Sequence, residues 1–160
     1  MARTFIGIGS NLGNKEKNIR KAIEQMQAKC TLRKTSSIYT TEPIGIKDQP
    51  EFLNCVVSVD TDLSARKLLD FLLRIETKMG RERKEKNGPR IIDLDILFYG
   101  KAIINEPQLT IPHPRLQERL FVLVPLNEIA PELEHPVLKK KISQLLEQTS
   151  DDSRVTHHAL

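Results

Sequence analysis

Two aspartates stand inside an otherwise apolar stretch of the chain, GPRIIDLDILFYG, which runs from Gly88 to Gly100. Its large and β-branched residues are typical of a buried strand. Side chains two positions apart on a strand point to the same face, so Asp93 and Asp95 would project together, roughly 6.5–7 Å apart. Two buried like charges are costly unless a cation balances them. The spacing therefore predicts an acidic pair that needs a cation.

A run of basic residues precedes this strand. Five cationic side chains crowd residues 81–90, namely Arg81, Arg83, Lys84, Lys86 and Arg90. Arginine binds phosphate oxygens through two parallel hydrogen bonds, and Mg²⁺ bridges phosphate and carboxylate groups, so this combination favours a polyphosphate ligand. Two simpler interpretations stay open: the run is a solvated loop, and the two aspartates form structural salt bridges with it.

Two other segments carry weaker signals for phosphate binding. GIGSNLGNK joins a strand to a helix, but Leu12 and Asn14 occupy positions where phosphate-binding loops require glycine. We interpret the segment as a tight turn, with Asn11 or Asn14 capping the helix. His113 lies between two prolines and is either a phosphate ligand or a surface histidine. The other histidines show no metal-ligand spacing: His135, His157 and His158.

The elements that would position these residues follow a β-α-β-β-α-β order. Arg3–Gly9 is typical of a strand, and Asn14–Cys30 carries apolar residues three and four apart, as an amphipathic helix does. Two further strands are expected, Thr31–Thr41 and Glu51–Thr61. A second helix is capped by Ser64 and ends at Gly80. This order predicts an α+β fold, a ferredoxin-like sandwich whose antiparallel sheet carries its helices on one face.

Shorter elements are expected after Gly100. The pattern predicts a hairpin and two short helices, at Ala102–Ile104 with Leu109–Ile111, near Arg115–Val124 and at Lys140–Gln148. The polar residues Thr149–Leu160 are expected to form a frayed, flexible tail. No repeat or linker divides the chain, so we expect one domain over residues 1–160.

Composition narrows the class of protein. No apolar run approaches the roughly 20 residues that a membrane helix needs, and no apolar signal-peptide core follows Met1. Cys30 and Cys55 lack CxxC spacing, and we expect both to be reduced core residues of a cytoplasmic protein. The net charge of +4 suits an anionic partner without identifying one.

Five segments carry a resemblance to a known family. They are GSNLG (9–13), DQPEFLN (48–54), GRER (80–83), GPRIIDLD (88–95) and IPHPR (111–115). In this order they resemble the 6-hydroxymethyl-7,8-dihydropterin pyrophosphokinases, which move pyrophosphate from ATP to a pterin alcohol in folate biosynthesis. The resemblance extends from Arg3 to about Leu146, and its GPRxxDLD and DQPxFLN segments are highly specific.

The resemblance implies a metal site and a pterin site. Asp93 and Asp95 would hold two Mg²⁺ ions, one between the α- and β-phosphates of ATP and one between the β- and γ-phosphates. The pterin-binding positions correspond to Thr41, Ile44, Phe52, Asn54, Asp95 and Phe121. Of these, Asn54 would hydrogen-bond the pterin edge, backbone groups at Thr41 and Ile44 would complete its recognition, and the two phenylalanines would sandwich the ring. Without the resemblance, both phenylalanines would be interpreted as core residues.

The resemblance also implies a nucleotide site and a reaction. The ATP-binding positions correspond to Glu76, Arg81, Arg83, Arg90, Ile96, Thr110, His113 and Arg119, and the catalytic ones to Arg83, Arg90, Asp93 and Asp95. The pterin hydroxymethyl oxygen would attack the β-phosphorus of ATP in line, with AMP leaving and ATP serving as co-substrate. Metals and arginines would neutralise the developing charge. The loop Gly80–Arg90 would close on ATP and exclude water.

The chain departs from the family pattern in the same loop. Lys86-Asn87 stands where many members have Arg-Trp, the loop is one residue shorter, and the chain has no tryptophan. Gln108 stands where an arginine often binds phosphate. These differences are expected to affect affinity and loop closure more than the chemistry.

Two other classes of protein share part of this pattern. An RNA-binding module has the same order of elements and a basic balance, but it needs aromatic residues on two central strands, and this chain is only 4% aromatic. A regulatory or metal-carrying ferredoxin-like domain would bind no ATP. We therefore expect a monomer that binds small-molecule substrates and neither nucleic acid nor membrane.

Overall fold

The helices and strands follow the predicted order, with additions at the C-terminal end. The computed structural model describes residues 1–44, 48–81 and 88–158. The elements are β1 (Ala2–Ser10), α1 (Lys15–Met26), β2 (Cys30–Thr35), β3 (Tyr39–Thr41), β4 (Phe52–Thr61), α2 (Ala65–Lys78), β5 (Asp93–Tyr99), β6 (Ile104–Glu106), β7 (Leu109–Ile111), a 3₁₀ turn (Leu116–Glu118), α3 (Leu120–Ile129), α4 (Ile142–Gln148) and β8 (Val155–His157).

The main sheet is antiparallel throughout. Its order is β5-β1-β4-β3-β8, and β2 also pairs with β4. The expected strand 31–41 is two strands, because β2 pairs with the end of β4 and β3 pairs with its beginning. Between them, Val56 donates its backbone N–H to the Ser36 hydroxyl at 2.9 Å, so the interruption is hydrogen-bonded. The predicted ferredoxin-like α+β fold is confirmed.

Helices cover both faces of this sheet. On one face, α1 and α2 present apolar stripes that include Ile19 and Leu72. The stripes arise because apolar residues recur three and four positions apart along each helix. The side chains of Asn14 and Ser64 cap the two helices, as predicted. On the other face, Phe5 and Phe98 pack against residues of α3 and α4. The expected placement of helices on one face holds for α1 and α2 only, since α3 and α4 form a third layer.

The C-terminal residues differ from the expectation of a frayed tail. Thr149–His158 crosses back to the sheet, where β8 pairs with β3 in the register Thr41↔Val155, Thr40↔Thr156 and Tyr39↔His157. The strand is only three residues long and has a single apolar residue, Val155, which explains why the sequence pattern missed it. Pairing with β8 places β3 between two strands instead of at a sheet edge.

Two further features of the fold concern the cysteines and the helices. Cys30 and Cys55 are buried free thiols, as predicted. No helix of the described residues has both the length and the apolar character needed to cross a membrane.

Candidate active site

The two aspartates of β5 share the face of the sheet that α3 covers. Their neighbours Leu94 and Ile96 point to the opposite face and pack into the core beneath α1 and α2. This alternation turns both carboxylates toward one cleft, as the sequence predicted. In the antiparallel register, Asp93 lies opposite Gly9.

Asp93 is neutralised by two arginines. Its Oδ1 accepts a 2.8 Å hydrogen bond from Nη1 of Arg81, and its Oδ2 accepts a 3.2 Å hydrogen bond from Nη1 of Arg90. The interpretation of a salt bridge with the basic loop is therefore correct for Asp93 in the ligand-free chain. Both arginines are mostly enclosed, so these pairs are less screened by solvent than surface pairs are.

Glu76 lies beneath the acidic pair and holds two neighbouring groups in place. Its buried side chain accepts a 2.7 Å hydrogen bond from the backbone N–H of Leu94 and forms a 2.9 Å ion pair with Arg81. Nε of Arg81 is buried and has no hydrogen-bond partner within the described ranges. Glu76 thus fixes the start of β5 and orients the guanidinium of Arg81 at the edge of the cleft.

Asp95 has a different environment from Asp93. No hydrogen bond or ion pair reaches its carboxylate from the described part of the chain. Burial, together with the negative charges of Asp93 and Glu76, raises the pKa of Asp95 to about 8, although the positive charges of Arg119 and Arg81 act in the opposite direction. The carboxyl group of Asp95 therefore keeps its proton near neutral pH.

A polar group on β4 faces the acids across β1. Asn54 is buried, and its Oδ1 accepts a 2.6 Å hydrogen bond from the hydroxyl of Thr41 on β3. Gly9 on β1 lies between Asn54 and Asp93, because it is paired with both in the sheet register. A Cβ atom at Gly9 would lie 2.6 Å from Nδ2 of Asn54. The glycine therefore leaves room for the amide and for a ligand beside it.

Two aromatic rings line the same cleft. The cleft is open to solvent, and its lining includes Ile44, Phe52, Asn54, Asp95 and Phe121. The Arg90 guanidinium lies 5.2 Å from the Phe52 ring centre. The corresponding distance from Arg119 to the Phe121 ring is 5.5 Å. Apolar ring faces and cations thus lie side by side, as a flat ligand with a charged group requires.

Asn11 connects two loops at the edge of the cleft. It is buried, and its Nδ2 donates to Oε1 of Gln49 at 2.8 Å and to the carbonyl oxygen of Pro50 at 3.0 Å. Its Oδ1 accepts a 2.8 Å hydrogen bond from the backbone N–H of Arg90. Of the two cap candidates, Asn14 caps α1, and Asn11 instead joins the start of the acidic strand to the 48–50 segment.

His113 and Arg119 lie beside the acids on the α3 side. Burial, together with the positive charge of Arg119, lowers the pKa of His113 to about 4, so the imidazole is neutral at physiological pH. Its Nδ1 accepts a 3.3 Å hydrogen bond from the backbone N–H of Arg115. An acceptor at Nδ1 leaves the proton on Nε2, which makes that nitrogen a donor.

Three of the residues predicted to bind ATP lie apart from the cleft or outside the described residues. The side chain of Ile96 is buried in the core beneath the helices, so only its backbone is available to a nucleotide. Thr110 is exposed on β7 and lines a neighbouring groove together with His113. Arg83 lies within residues 82–87, which are outside the described residues. The prediction that the loop Gly80–Arg90 closes on ATP concerns the same residues.

Sequence reasoning missed three residues that shape this site. Asn11 and Thr41 were assigned a cap and a backbone contact, whereas their side chains hold Arg90 and Asn54 in place. The third is Gly9, whose lack of a side chain is required by the position of Asn54. The glycine in GIGSN was the available signal, and it indicates a close approach of side chains and not a phosphate loop.

The fold and the cleft define the class: an α+β domain with acids, arginines and aromatic rings gathered at one end of an antiparallel sheet. A family model described as 7,8-dihydro-6-hydroxymethylpterin-pyrophosphokinase (HPPK) matches residues 5–131. The chain therefore belongs to this family, and the predicted family of pyrophosphokinases is confirmed.

Relatives agree with this assignment, and a solved structure shares the fold. The chain is 42% identical over 158 residues to the "2-amino-4-hydroxy-6-hydroxymethyldihydropteridine pyrophosphokinase" of Haemophilus influenzae, an alignment that covers 97% of this chain and 98% of that protein. It is 42% identical over 142 residues to the protein of the same name from Bacillus subtilis, with 88% and 85% covered. A Plasmodium falciparum HPPK-DHPS crystal structure shares the fold, with a TM-score of 0.73 and 18% identity, over 92% of this chain and 44% of that one.

Some relatives are much longer than this chain. "Folic acid synthesis protein fol1" of Pneumocystis carinii is 48% identical over 148 residues, which are 92% of this chain and 20% of that protein. The chain thus spans about a fifth of the length of this relative and of the Dictyostelium discoideum protein "Folic acid synthesis protein FOL1".

Proposed function

We propose that this chain transfers pyrophosphate from ATP to 6-hydroxymethyl-7,8-dihydropterin and releases AMP, as a step of folate biosynthesis. The observation that carries the proposal is the placement of Asn54 and the acidic pair on opposite sides of Gly9, within one cleft. A pterin held by the amide would present its hydroxymethyl group toward the carboxylates. The names of the relatives support this reaction class.

The acidic pair fits Mg²⁺ that arrives with a nucleotide. The carboxylates of Asp93 and Asp95 face the cleft side by side, and the described residues contain no cluster of three or more metal-ligating side chains. Mg²⁺ is commonly held by one or two carboxylates and completed by substrate phosphates and water, so this donor set suits it. When bound, the metal would supply positive charge to the phosphate oxygens. We propose two such ions.

Binding of the metal requires changes in the groups around it. Arg81 and Arg90 form ion pairs with Asp93, and a proton neutralises Asp95 below about pH 8. Metal-bound ATP would replace both, since the aspartates gain a stronger cation and the arginines gain phosphate oxygens. The arginines are thereby placed within reach of the transferring group before the nucleotide arrives, which reduces the reorganisation needed at the reaction.

The remaining residues would orient the two substrates. Asn54 would hydrogen-bond the pterin edge, while Phe52 and Phe121 would hold the ring faces, with Thr41 and Ile44 beside them. On the nucleotide side, Nε2 of neutral His113 is available to donate to a phosphate oxygen, and Arg119 would add charge. We also place Glu76, Arg83, Ile96 and Thr110 on the nucleotide side, with Glu76 acting through Arg81.

The proposed reaction needs no protein nucleophile. The hydroxymethyl oxygen attacks the β-phosphorus, the bond from that phosphorus to the α,β-bridging oxygen breaks, and AMP leaves with that oxygen. The site holds the two reactants in line, and Arg90 with Arg83 stabilises charge on the phosphate oxygens. The hydroxyl proton is lost to solvent or to phosphate, because Asp93 and Asp95 would both be engaged by a cation when the substrates are bound.

A coupled AMP-release assay tests the proposal. The unmodified chain should release AMP only when ATP, the pterin and Mg²⁺ are all present. D93A and D95A should each lose at least about a hundredfold in turnover, the order typical for removal of a group that stabilises transition-state charge, while circular dichroism shows an intact fold. Asp152 is exposed, and D152A serves as the control. Turnover by D93A or D95A close to that of D152A would refute the proposal.

A further inference from the structure

A C-terminal segment, Asp151–His158, contacts the structural elements that carry the pterin side of the cleft. We name this segment the C-terminal strap. Its central residues form β8, which extends the main sheet beside β3. It lies outside residues 5–131, which the family model matches.

The strap first fixes the strand that orients Asn54. His158 donates its backbone N–H to the carbonyl oxygen of Ile38 at 2.9 Å, and Glu42 donates its backbone N–H to the carbonyl oxygen of Arg154 at 3.3 Å. Hydrogen-bonded pairs alternate along antiparallel strands, so the pair between these two, Thr40 with Thr156, is also hydrogen-bonded. The pairing therefore holds β3 and with it Thr41.

The strap also contacts the segment that follows β3. The backbone N–H of Arg154 donates a 3.0 Å hydrogen bond to Oε1 of Glu42. Nη2 of Arg154 forms a 2.6 Å ion pair with Glu51, on the other side of the 42–51 loop. Both ends of this loop are thus held by one strap residue, and Ile44 between them lines the cleft. The ion pair is exposed and weak, so the backbone contacts carry most of the effect.

The strap finally fixes the start of α3. Oδ2 of Asp151 accepts a 2.8 Å hydrogen bond from the backbone N–H of Leu120, and its Oδ1 accepts one from Ser153 at 2.9 Å. Leu120 is the first residue of α3, where free N–H groups favour a negative charge. The next residue is Phe121, the ring on the far wall of the cleft.

We infer that the C-terminal strap positions the pterin site, with Asp151 and the β8 pairing as its positioning elements. This rests on the proposed function, since it assigns the pterin to this cleft. One segment reaches β3, the 42–51 loop and α3, which carry Thr41, Ile44 and Phe121. Loosening the strap should therefore weaken pterin binding more than ATP binding, because the acids and Arg81 lie on or near β5, on the other side of β1.

Titration calorimetry on the full chain tests this inference. The ligands are 6-hydroxymethylpterin, with saturating Mg²⁺ and a non-hydrolysable ATP analogue, and that analogue alone with Mg²⁺. T156P removes the N–H that pairs with Thr40, and T156A keeps it. T156P should raise the pterin Kd by about threefold to tenfold, equivalent to losing one or two hydrogen bonds, and leave the analogue Kd within about twofold. T156A should match the unmodified chain.

A second set of variants tests the other end of the strap. D151A should raise the pterin Kd by about threefold or more, as loss of a helix cap allows, whereas D151N, which keeps an acceptor, should restore it. The exposed neighbour in D152A should have no effect. If D151A fails to fold, T156P decides the matter.

Different results separate this inference from the proposed function. If pterin binding is unchanged in both T156P and D151A, the inference that the strap positions the pterin site is overturned, whereas the proposed reaction stands. Equal losses for pterin and ATP analogue would also overturn it, because they would indicate general destabilisation. No pterin binding by the unmodified chain would overturn the proposed function and this inference together.

Discussion

The hydroxyl of Thr41 donates a 2.6 Å hydrogen bond to Oδ1 of Asn54, and both side chains are buried. This bond fixes which end of the amide faces β3, so Nδ2 is turned toward Gly9 and the acidic pair. An amide can read a ligand edge only if its donor and acceptor ends are fixed. If the chain binds a pterin as proposed, its specificity would depend on Thr41 of the neighbouring strand as well as on Asn54.

The Thr41 hydroxyl is the first site that can be tested. T41V keeps the shape of the side chain and removes the donor, which leaves Oδ1 of buried Asn54 unpaired. We expect pterin binding to weaken by about 1–3 kcal/mol and ATP binding to change little. T41S keeps the hydroxyl and should retain most of the affinity. Calorimetry with each ligand checks this, and equal pterin affinity for T41V and T41S would show that the bond is unimportant.

Gly9 and Gly7 form a matched pair on the same face of β1. A Cβ at Gly9 would lie 2.6 Å from Nδ2 of Asn54, whereas the nearest atom to a Cβ at Gly7 is a Leu97 methyl at 3.5 Å. G9A must therefore displace the amide, and we expect it to lose at least about tenfold in pterin affinity, since an amide pushed aside leaves hydrogen bonds to the ligand unmade. G7A makes an ordinary contact and should bind normally. Pterin titrations that gave similar affinities for both variants would argue against this role of Asn54.

The raised pKa of Asp95 has a consequence for stability. The folded chain keeps this proton up to about pH 8, whereas an unfolded chain loses it near the ordinary value of 3.8. Between these pH values the folded state binds more protons, so this group lowers the free energy of unfolding as pH rises from about 4 to 8. D95N removes the titrating group and should lack this component.

Urea unfolding of the ligand-free chain measures the effect. The difference in free energy of unfolding between D95N and the unmodified chain should widen in favour of D95N from about pH 5 to about pH 8. A difference that stays constant over this range would contradict the raised pKa. Adding Mg²⁺ and an ATP analogue should narrow the difference at high pH, because the unmodified carboxylate then has a cation.

Arg90 should act mainly on the transferring group. Its backbone is fixed by Asn11, and its guanidinium already lies at the acidic pair, so it needs little ordering when ATP binds. We expect R90A to lower kcat more than it raises KM for ATP, which is the pattern of an interaction made chiefly in the transition state. Steady-state kinetics separates the two parameters. A rise in KM for ATP with unchanged kcat would assign Arg90 to ground-state binding instead.

Much of the fold follows from local patterns in the sequence. Three elements were predicted correctly in this way. The 3.6-residue periodicity and the caps at Asn14 and Ser64 predicted α1 and α2, and the alternation of side chains predicted β5. The prediction stopped α3 near Val124, but the helix continues through Pro125 to Ile129. Leu123 and Leu126 are fully buried on either side of the proline, so their packing outweighs the hydrogen bond that the proline lacks.

Other features depend on contacts between distant parts of the chain. β8 is a strand because β3 offers it a partner. Its three residues present no apolar face, so they carry no periodic signal that a sequence pattern could detect. The roles of Asn11 and Gly9 likewise come from neighbours in space, Arg90 and Asn54, which are 79 and 45 positions away in the sequence. The acidic pair was predicted correctly because its chemistry is visible within three consecutive residues of one strand.

The identity of the products tests the central claim most directly. ³¹P NMR of the unmodified chain with ATP, Mg²⁺ and 6-hydroxymethyl-7,8-dihydropterin distinguishes attack at the β-phosphorus from attack at the γ-phosphorus. We expect equal amounts of AMP and of a pterin that carries two linked phosphates, and no such product from D95A. Formation of ADP with a singly phosphorylated pterin, or of ADP with free phosphate, would contradict pyrophosphate transfer by this site.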